Sequence, residues 1–191
     1  MITMLKDYHH FKGDELNRSE RVQRLVTEMI LKSDISDDKR ESSVVWELKH
    51  HAGCVEIGRI LAIKRNLNVE LAEIMCVLHD VAAIQTGSYK NHAKIGAEIA
   101  KKILEDTKEF TSGEIRTITG AIAHHSDKDV YSDKPYVELV KDADVFECSL
   151  YQGAEGFYKL HKPSDVFAAY RKRIVNVREE LGLPPEPAFR K

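Results

Sequence analysis

Histidine and aspartate recur along the chain in one order: His51, the doublet His79-Asp80, His92, the pair His124-His125, and Asp144. Imidazole nitrogens and carboxylate oxygens together suit borderline divalent metals such as manganese, iron, cobalt, nickel or zinc. Such a centre activates water and polarises an electrophile. The positions of these residues matter more than their number, because most fall where a helical core expects an apolar side chain.

A helix buries positions three and four residues apart, so each apolar stripe can be followed along the chain. One stripe runs Val44, Leu48, His51, Val55, Gly58, Ala62. Others are Ala72, Met75, Cys76, His79, Ala83; His92, Ile95, Ile99, Ile103; Ile115, Ile118, Ile122, His125; and Val137, Val140, Asp144. A single histidine on an apolar face is ordinarily a satisfied core residue. Left unpaired, a buried polar group costs about 1–3 kcal/mol. Five such placements on five successive helices are accounted for together by one ion or a pair of ions.

The metal-ligand candidates are therefore His51, His79, Asp80, His92, His124, His125 and Asp144, with His79 and Asp80 at the catalytic centre. His125 continues its stripe. His124 lies about 100° around the helix and is a candidate for a place behind a ligand or at a second ion. Asp80, splayed from His79 by a similar angle, can bridge two ions through its two oxygens. Glu47, four residues before His51, is expected to accept from that imidazole or reach a further ion. Asp142 aligns with Glu138 and is expected in solvent or behind the ligands. His50 is off the stripe, which predicts an outer or surface position. Cys54, Cys76 and Cys148 each lie one turn from a candidate ligand, and packing as small hydrophobes is expected of them. His9-His10, in a polar terminus, are expected to be uncommitted.

Helical spacing runs through the whole chain. Helices are predicted over about 15–33, 43–65, 68–84, 91–104, from 111 to the His124-His125 pair, 136–151 and 164–181. Ser43, Asn68 and Asn91 are candidate N-caps, and Thr111 with Glu114 forms a capping box. The stretches 33–43, 85–89 and 126–135 read as polar loops, a Gly-containing connection follows Tyr151, and Pro184, Pro185 and Pro187 stop the last helix. No alternating strand pattern or repeat occurs. The expectation is one all-α bundle: a helix and polar loop over 1–42 packed on the domain, a metal-binding core over 43–151, and a C-terminal helix with a Pro-rich tail over 152–191.

The chain of 191 residues is 42% hydrophobic and 31% charged, ordinary for a globular protein. Lys+Arg at 29 against Asp+Glu at 31 leaves a net charge of -2, so neither a nucleic-acid nor a membrane partner is expected. Residues 1–15 hold no apolar run of signal-peptide length. An odd cysteine count with no CxxC pair suits a reducing compartment, and the cytoplasm is the expected location.

The words "HHAGCVEIGRILA", "AEIMCVLHDVA", "NHAKIGAEIAKKIL", "ITGAIAHHS" and "LVKDADVFE" together resemble the HD superfamily of metal-dependent phosphohydrolases, over about Trp46 to Tyr151. That resemblance implies an all-helical fold and a site at His51, His79, Asp80 and Asp144. Where two ions bind, it adds His92 and one or both of His124 and His125. The implied cofactor is one or two divalent ions of manganese, iron, cobalt, nickel, zinc or magnesium. The implied substrate is a small phosphorylated molecule such as a nucleotide, with Lys90, Lys94, Lys128 or Lys141 as candidate phosphate-binding cations. The cyclic-dinucleotide phosphodiesterase branch is similar in its histidines and Glu47, but its Gly-Tyr-Pro motif is absent and Val81-Ala82-Ala83 replaces its lysine-bearing stretch. Two other functions stay open: a di-iron oxygenase of the same fold, and a regulatory domain whose metal is structural. The amphipathic terminal helices are compatible with a homo-oligomer.

Overall fold

The computed structural model describes residues 10–191. His9 lies outside the described residues, and His10 is exposed. Among the described residues the regular structure is helical, with no strand: α1 Arg18–Leu31, a 3-10 turn Asp37–Lys39, α2 Val44–Lys64, α3 Val69–Leu78, α4 Val81–Thr86, α5 His92–Thr107, α6 Ser112–His124, α7 Pro135–Ser149, α8 Ala154–His161 and α9 Ser164–Glu180. The all-α expectation holds.

Among the described residues, side-chain caps set four of the helix starts. The side chains of Ser43 and Asn68 accept from the backbone N–H groups of Trp46 and Leu71. Thr111 and Glu114 form the reciprocal capping box, and Asn17 with Glu20 forms another at α1. Asn91 does not cap α5 through its side chain; it adopts the left-handed conformation, at φ 55°. Asparagine tolerates that region better than most residues.

The structure divides what the sequence pattern joins at residues 68–84. Every residue from Ala72 to Ile84 is buried, so periodicity offers no polar face to mark an end. The chain nonetheless breaks at His79-Asp80. Asp80 leaves the helical region (φ -105°, ψ 21°), and its carbonyl accepts from the N–H groups of Ala83 at 2.8 Å and Ile84 at 3.3 Å. Its carboxylate makes no capping bond to α4 and is left for other partners.

α3 is the central element, packed on α1, α2, α6 and α7. A Cβ at Gly58 would overlap the Cys76 sulfur, so glycine sets the close approach of α2 to α3. α5 packs on α4 and α6, and α9 packs on α7. The connection expected after Tyr151 contains α8, a helix with no buried residue. Its Ala154 and Tyr158 pack half-buried against the core, while Phe157 and Leu160 are exposed. The tail returns to the domain: Ala188 and Phe189 are buried, and Arg190 N–H donates to the Ser149 carbonyl at 2.9 Å. Among the described residues no helix is long and apolar enough to cross a membrane.

Candidate metal centre

Four histidines are held in the same way, although they sit on different elements. Nδ1 lies 2.9 Å from the Glu47 carbonyl in His51, and 2.7 Å from the Cys76 carbonyl in His79. It lies 2.6 Å from the Tyr89 carbonyl in His92, and 2.7 Å from the Ile122 carbonyl in His125. A carbonyl only accepts, so each Nδ1 carries a proton, which leaves Nε2 as the ligating nitrogen of the neutral ring. This is the arrangement that outer hydrogen bonds impose on metal-binding imidazoles. Burial lowers the pKa of His51 to about 3 and of His125 to about 4, which keeps both rings neutral.

The Nε2 atoms of His79, His92 and His125 converge on Asp80. Its Oδ1 lies 3.1 Å from His125 Nε2 and 3.3 Å from His92 Nε2. Its Oδ2 lies 3.4 Å from His79 Nε2 and 3.8 Å from His50 Nε2. The two oxygens thus face different sets of nitrogens, as bridging between two ions requires. Burial pushes the Asp80 carboxyl up, but positive charge at His79, whose own pKa Asp80 raises, outweighs it and holds the carboxyl well below the usual carboxylate range. His79, Asp80 and His125 form one compact trio of donors. His92 joins it at 3.0 Å from His125 Nε2. A second compact group comprises His50, Cys54, His79 and Asp144.

His50 is the main correction. It is neither outer nor at the surface, being 2% exposed. Its Nδ1 lies 2.6 Å from Glu147 Oε2, and its Nε2 lies 3.2 Å from His79 Nε2 and 3.7 Å from Asp144 Oδ1. The sequence signal was available in the opposite residue: Gly53 on α2. A Cβ there would stand 2.6 Å from Glu147 Oε1 and 2.7 Å from Glu147 Cγ. Glycine makes room for a buried carboxylate from α7, and that carboxylate draws His50 inward. His51 stands beside His79, ring centroids 5.4 Å apart. It belongs to neither compact group.

Among the described residues, the buried side-chain atoms without a hydrogen-bond partner are His51 Nε2, Glu47 Oε2 and Arg40 Nη2. All lie around the start of α2. Glu47 Oε2 is 3.7 Å from His51 Nδ1, and Glu47 Oε1 accepts from the Tyr89 hydroxyl at 3.1 Å. Burial, with the Asp80 charge, raises the Glu47 carboxyl to about 7. An imidazole lone pair and a carboxylate oxygen, both buried and unpaired, are what a divalent cation satisfies. The donor set fits such an ion. Arg40, in the polar loop before α2, was not anticipated. Its Nη2 lies 4.0 Å from Glu47 Oε1, while Nε and Nη1 donate to the Ser42 carbonyl and Ser33 Oγ.

Other candidates fall elsewhere. His124 is exposed and pairs with Asp127 at 3.1 Å; the 100° step from His125 carries it out of the cluster. Asp142 is bound by Arg65 at 2.8 Å and Arg173 at 2.9 Å, joining α2 and α9 rather than reaching the ligands. Lys90 and Lys94 are exposed. Lys141 is buried against the Val130 carbonyl and Glu138. Lys128 is buried and ion-paired with Asp144 Oδ2, and it donates to the His125 carbonyl at 2.7 Å. Burial disfavours its charge, but Asp144 outweighs that and raises its pKa. The pair also holds Asp144 below the carboxylate range. Arg173 fixes this loop from α9, donating to the carbonyls of Lys128 at 2.5 Å and Val130 at 3.0 Å.

The fold and the site therefore define an all-helical domain built around a buried cluster of histidine and aspartate donors able to hold a cation. The chain belongs to the HD domain family, whose model matches residues 48–148. It is 33% identical over 97 residues to Ribonuclease Y of Treponema denticola, and 29% identical over 97 residues to Ribonuclease Y of Treponema pallidum. Each match covers 50% of this chain but 18% of the relative. A crystal structure of a predicted HD superfamily hydrolase from an uncultured Thermotogales bacterium shares the fold, with a TM-score of 0.51 at 19% identity. That likeness covers 85% of this chain and 88% of the other.

Proposed function

We propose that the chain is a metal-dependent phosphohydrolase that cleaves a phosphate ester or anhydride of a small molecule such as a nucleotide. The observation that carries this reading is the convergence of the Nε2 atoms of His79, His92 and His125 on the two oxygens of Asp80. His51 and Asp144 would complete the set of residues that hold the cation. A divalent ion bound there supplies Lewis acidity and lowers the pKa of water in its coordination sphere towards neutrality.

The chain's own residues do the rest. Asp80, ionised and buried, keeps its oxygens between the two groups of nitrogens and is placed to accept a hydrogen bond from an attacking water. Lys128 pins one oxygen of Asp144 and leaves the other, Oδ1, facing His50. Tyr89 and Arg40 hold one oxygen of Glu47 and leave the other free. The four backbone carbonyls that accept from Nδ1 keep each ring in the ligating tautomer without further reorganisation.

The matches to Ribonuclease Y favour a second substrate class for the same site, a phosphodiester in RNA. The near-balanced charge of the chain and the absence of a long basic run give such a strand little electrostatic hold. Manganese-loaded protein assayed on nucleotides, generic phosphate esters and an RNA oligonucleotide tests both. Phosphate release from small substrates supports the first reading, and cleavage of the RNA alone replaces it with the second. Turnover of neither, with metal bound, refutes hydrolysis.

A further inference from the structure

We propose that the Asp144 side of the centre is a thiolate-containing site, with Cys54 as a ligand beside His50, His79 and Asp144. A tetrahedral zinc-type ion takes nitrogen at about 2.0–2.1 Å and sulfur at about 2.3 Å, which puts neighbouring donors about 3.3–3.6 Å apart. Here His50 Nε2 lies 3.2 Å from His79 Nε2, 3.7 Å from Asp144 Oδ1 and 3.8 Å from Cys54 Sγ. All four donors fall within 4.8 Å of one another. The four residues come from three elements, and all but Asp144 are buried.

The other cysteines are placed differently. Cys148 Sγ stands 3.9 Å from His50 Nδ1 and 3.7 Å from Asp144 Oδ1, but its compact group is with His50 and Glu147, without His79. Cys76 fills the contact between α2 and α3 beside Gly58. Cys54 alone of the three shares a group with His79 and Asp144. Glu147 is then a positioning residue, because its bond to His50 Nδ1 leaves Nε2, 3.8 Å from Cys54 Sγ, as the nitrogen free to ligate. On binding, the Cys54 thiol gives its proton to solvent and the sulfur lone pair forms the bond to the ion. One position would carry nitrogen and oxygen donors around Asp80. The other would add sulfur, and sulfur selects thiophilic ions such as zinc and cobalt over magnesium.

The inference rests on the metal-centre reading above, and cobalt spectroscopy separates the two. The full chain, stripped with chelator and loaded with cobalt(II), is expected to show a near-ultraviolet sulfur-to-cobalt charge-transfer band. Cys54→Ser should abolish the band, while Cys148→Ser and Cys76→Ser keep it. Cobalt bound without the band, or a band that survives in Cys54→Ser, overturns thiolate ligation by Cys54 while leaving the phosphohydrolase proposal standing. A chain that takes up no cobalt overturns both. Because the wild-type spectrum needs no variant, the test holds even if Cys54→Ser fails to fold.

Discussion

Replacing Gly53 by alanine perturbs the site through one methyl group and gives the packing account a sharp test. In an ordinary helix interior the change stabilises by about 0.5–1 kcal/mol. Here the new Cβ would stand 2.6 Å from Glu147 Oε1, 2.7 Å from Cγ and 3.0 Å from Cδ. The whole Glu147 side chain must therefore move, and it is 3% exposed and hydrogen-bonded to His50 at 2.6 Å. Overpacking costs about 1–3 kcal/mol, and loss of a charge-assisted hydrogen bond costs about 1.5–3 kcal/mol. After the helix gain is subtracted, the variant should be destabilised by about 2–5 kcal/mol. For a chain of this size that lowers Tm by roughly 4–20 °C. The control is Gly120→Ala in α6, where a Cβ meets nothing within 4 Å and Tm should rise by a few degrees. Thermal unfolding of metal-free protein measures both. The double variant Gly53→Ala/Glu147→Ala should be no less stable than Glu147→Ala alone, since the clash is gone. Cobalt affinity of Gly53→Ala should fall about 10–100-fold, as for other losses behind a ligand. If Gly53→Ala is as stable as the Gly120 control, the placement of Glu147 and His50 is wrong.

Other consequences follow from the same structure. Arg173→Met removes one cation from each of Asp142 and Glu138, which keep Arg65 and Lys141, and should cost about 1.5–3 kcal/mol, a fall of roughly 3–12 °C in a melting curve. His125→Ala should reduce the metal bound per chain, whereas His124→Ala should keep it; equal loss in both, measured by elemental analysis, would reverse the assignment. The Arg18 guanidinium, with the Thr111 N–H, lowers the Glu114 carboxyl to about 2. A depressed carboxylate contributes stability above its unfolded pKa that is lost as pH falls through the folded value. Denaturant titrations of Glu114→Gln and wild type should therefore differ above about pH 4.3 and converge towards pH 2. A gap that stays constant down to pH 2 would contradict the Arg18–Glu114 pairing.

The helices and most of the clustered donor residues were legible because the sequence carries conflicts between pattern and chemistry. His79, Asp144 and His125 each end or interrupt an apolar stripe, and each proves to face the centre. Stripe logic failed where a neighbouring element changes what a position faces. His50 is off the α2 stripe, yet the cleft opened by Gly53 lets Glu147 draw it inward. Arg40 sits in a stretch that reads as a solvated loop, and only the fold brings its guanidinium to Glu47. The break at His79-Asp80 was hidden because its flanks are apolar on every side. Lys128 was one of several equivalent lysines in the sequence; its burial against Asp144 depends on Arg173, 45 residues away along the chain.

Metal titration of chelator-stripped wild-type protein and Asp80→Ala, followed by calorimetry, asks most directly whether the donors share a cation. The wild type should bind one or two divalent ions per chain, and the variant should lose that binding while retaining its helical circular dichroism. Saturable binding that is unchanged in Asp80→Ala, or no binding by the wild type, would contradict the convergence of these residues on an ion.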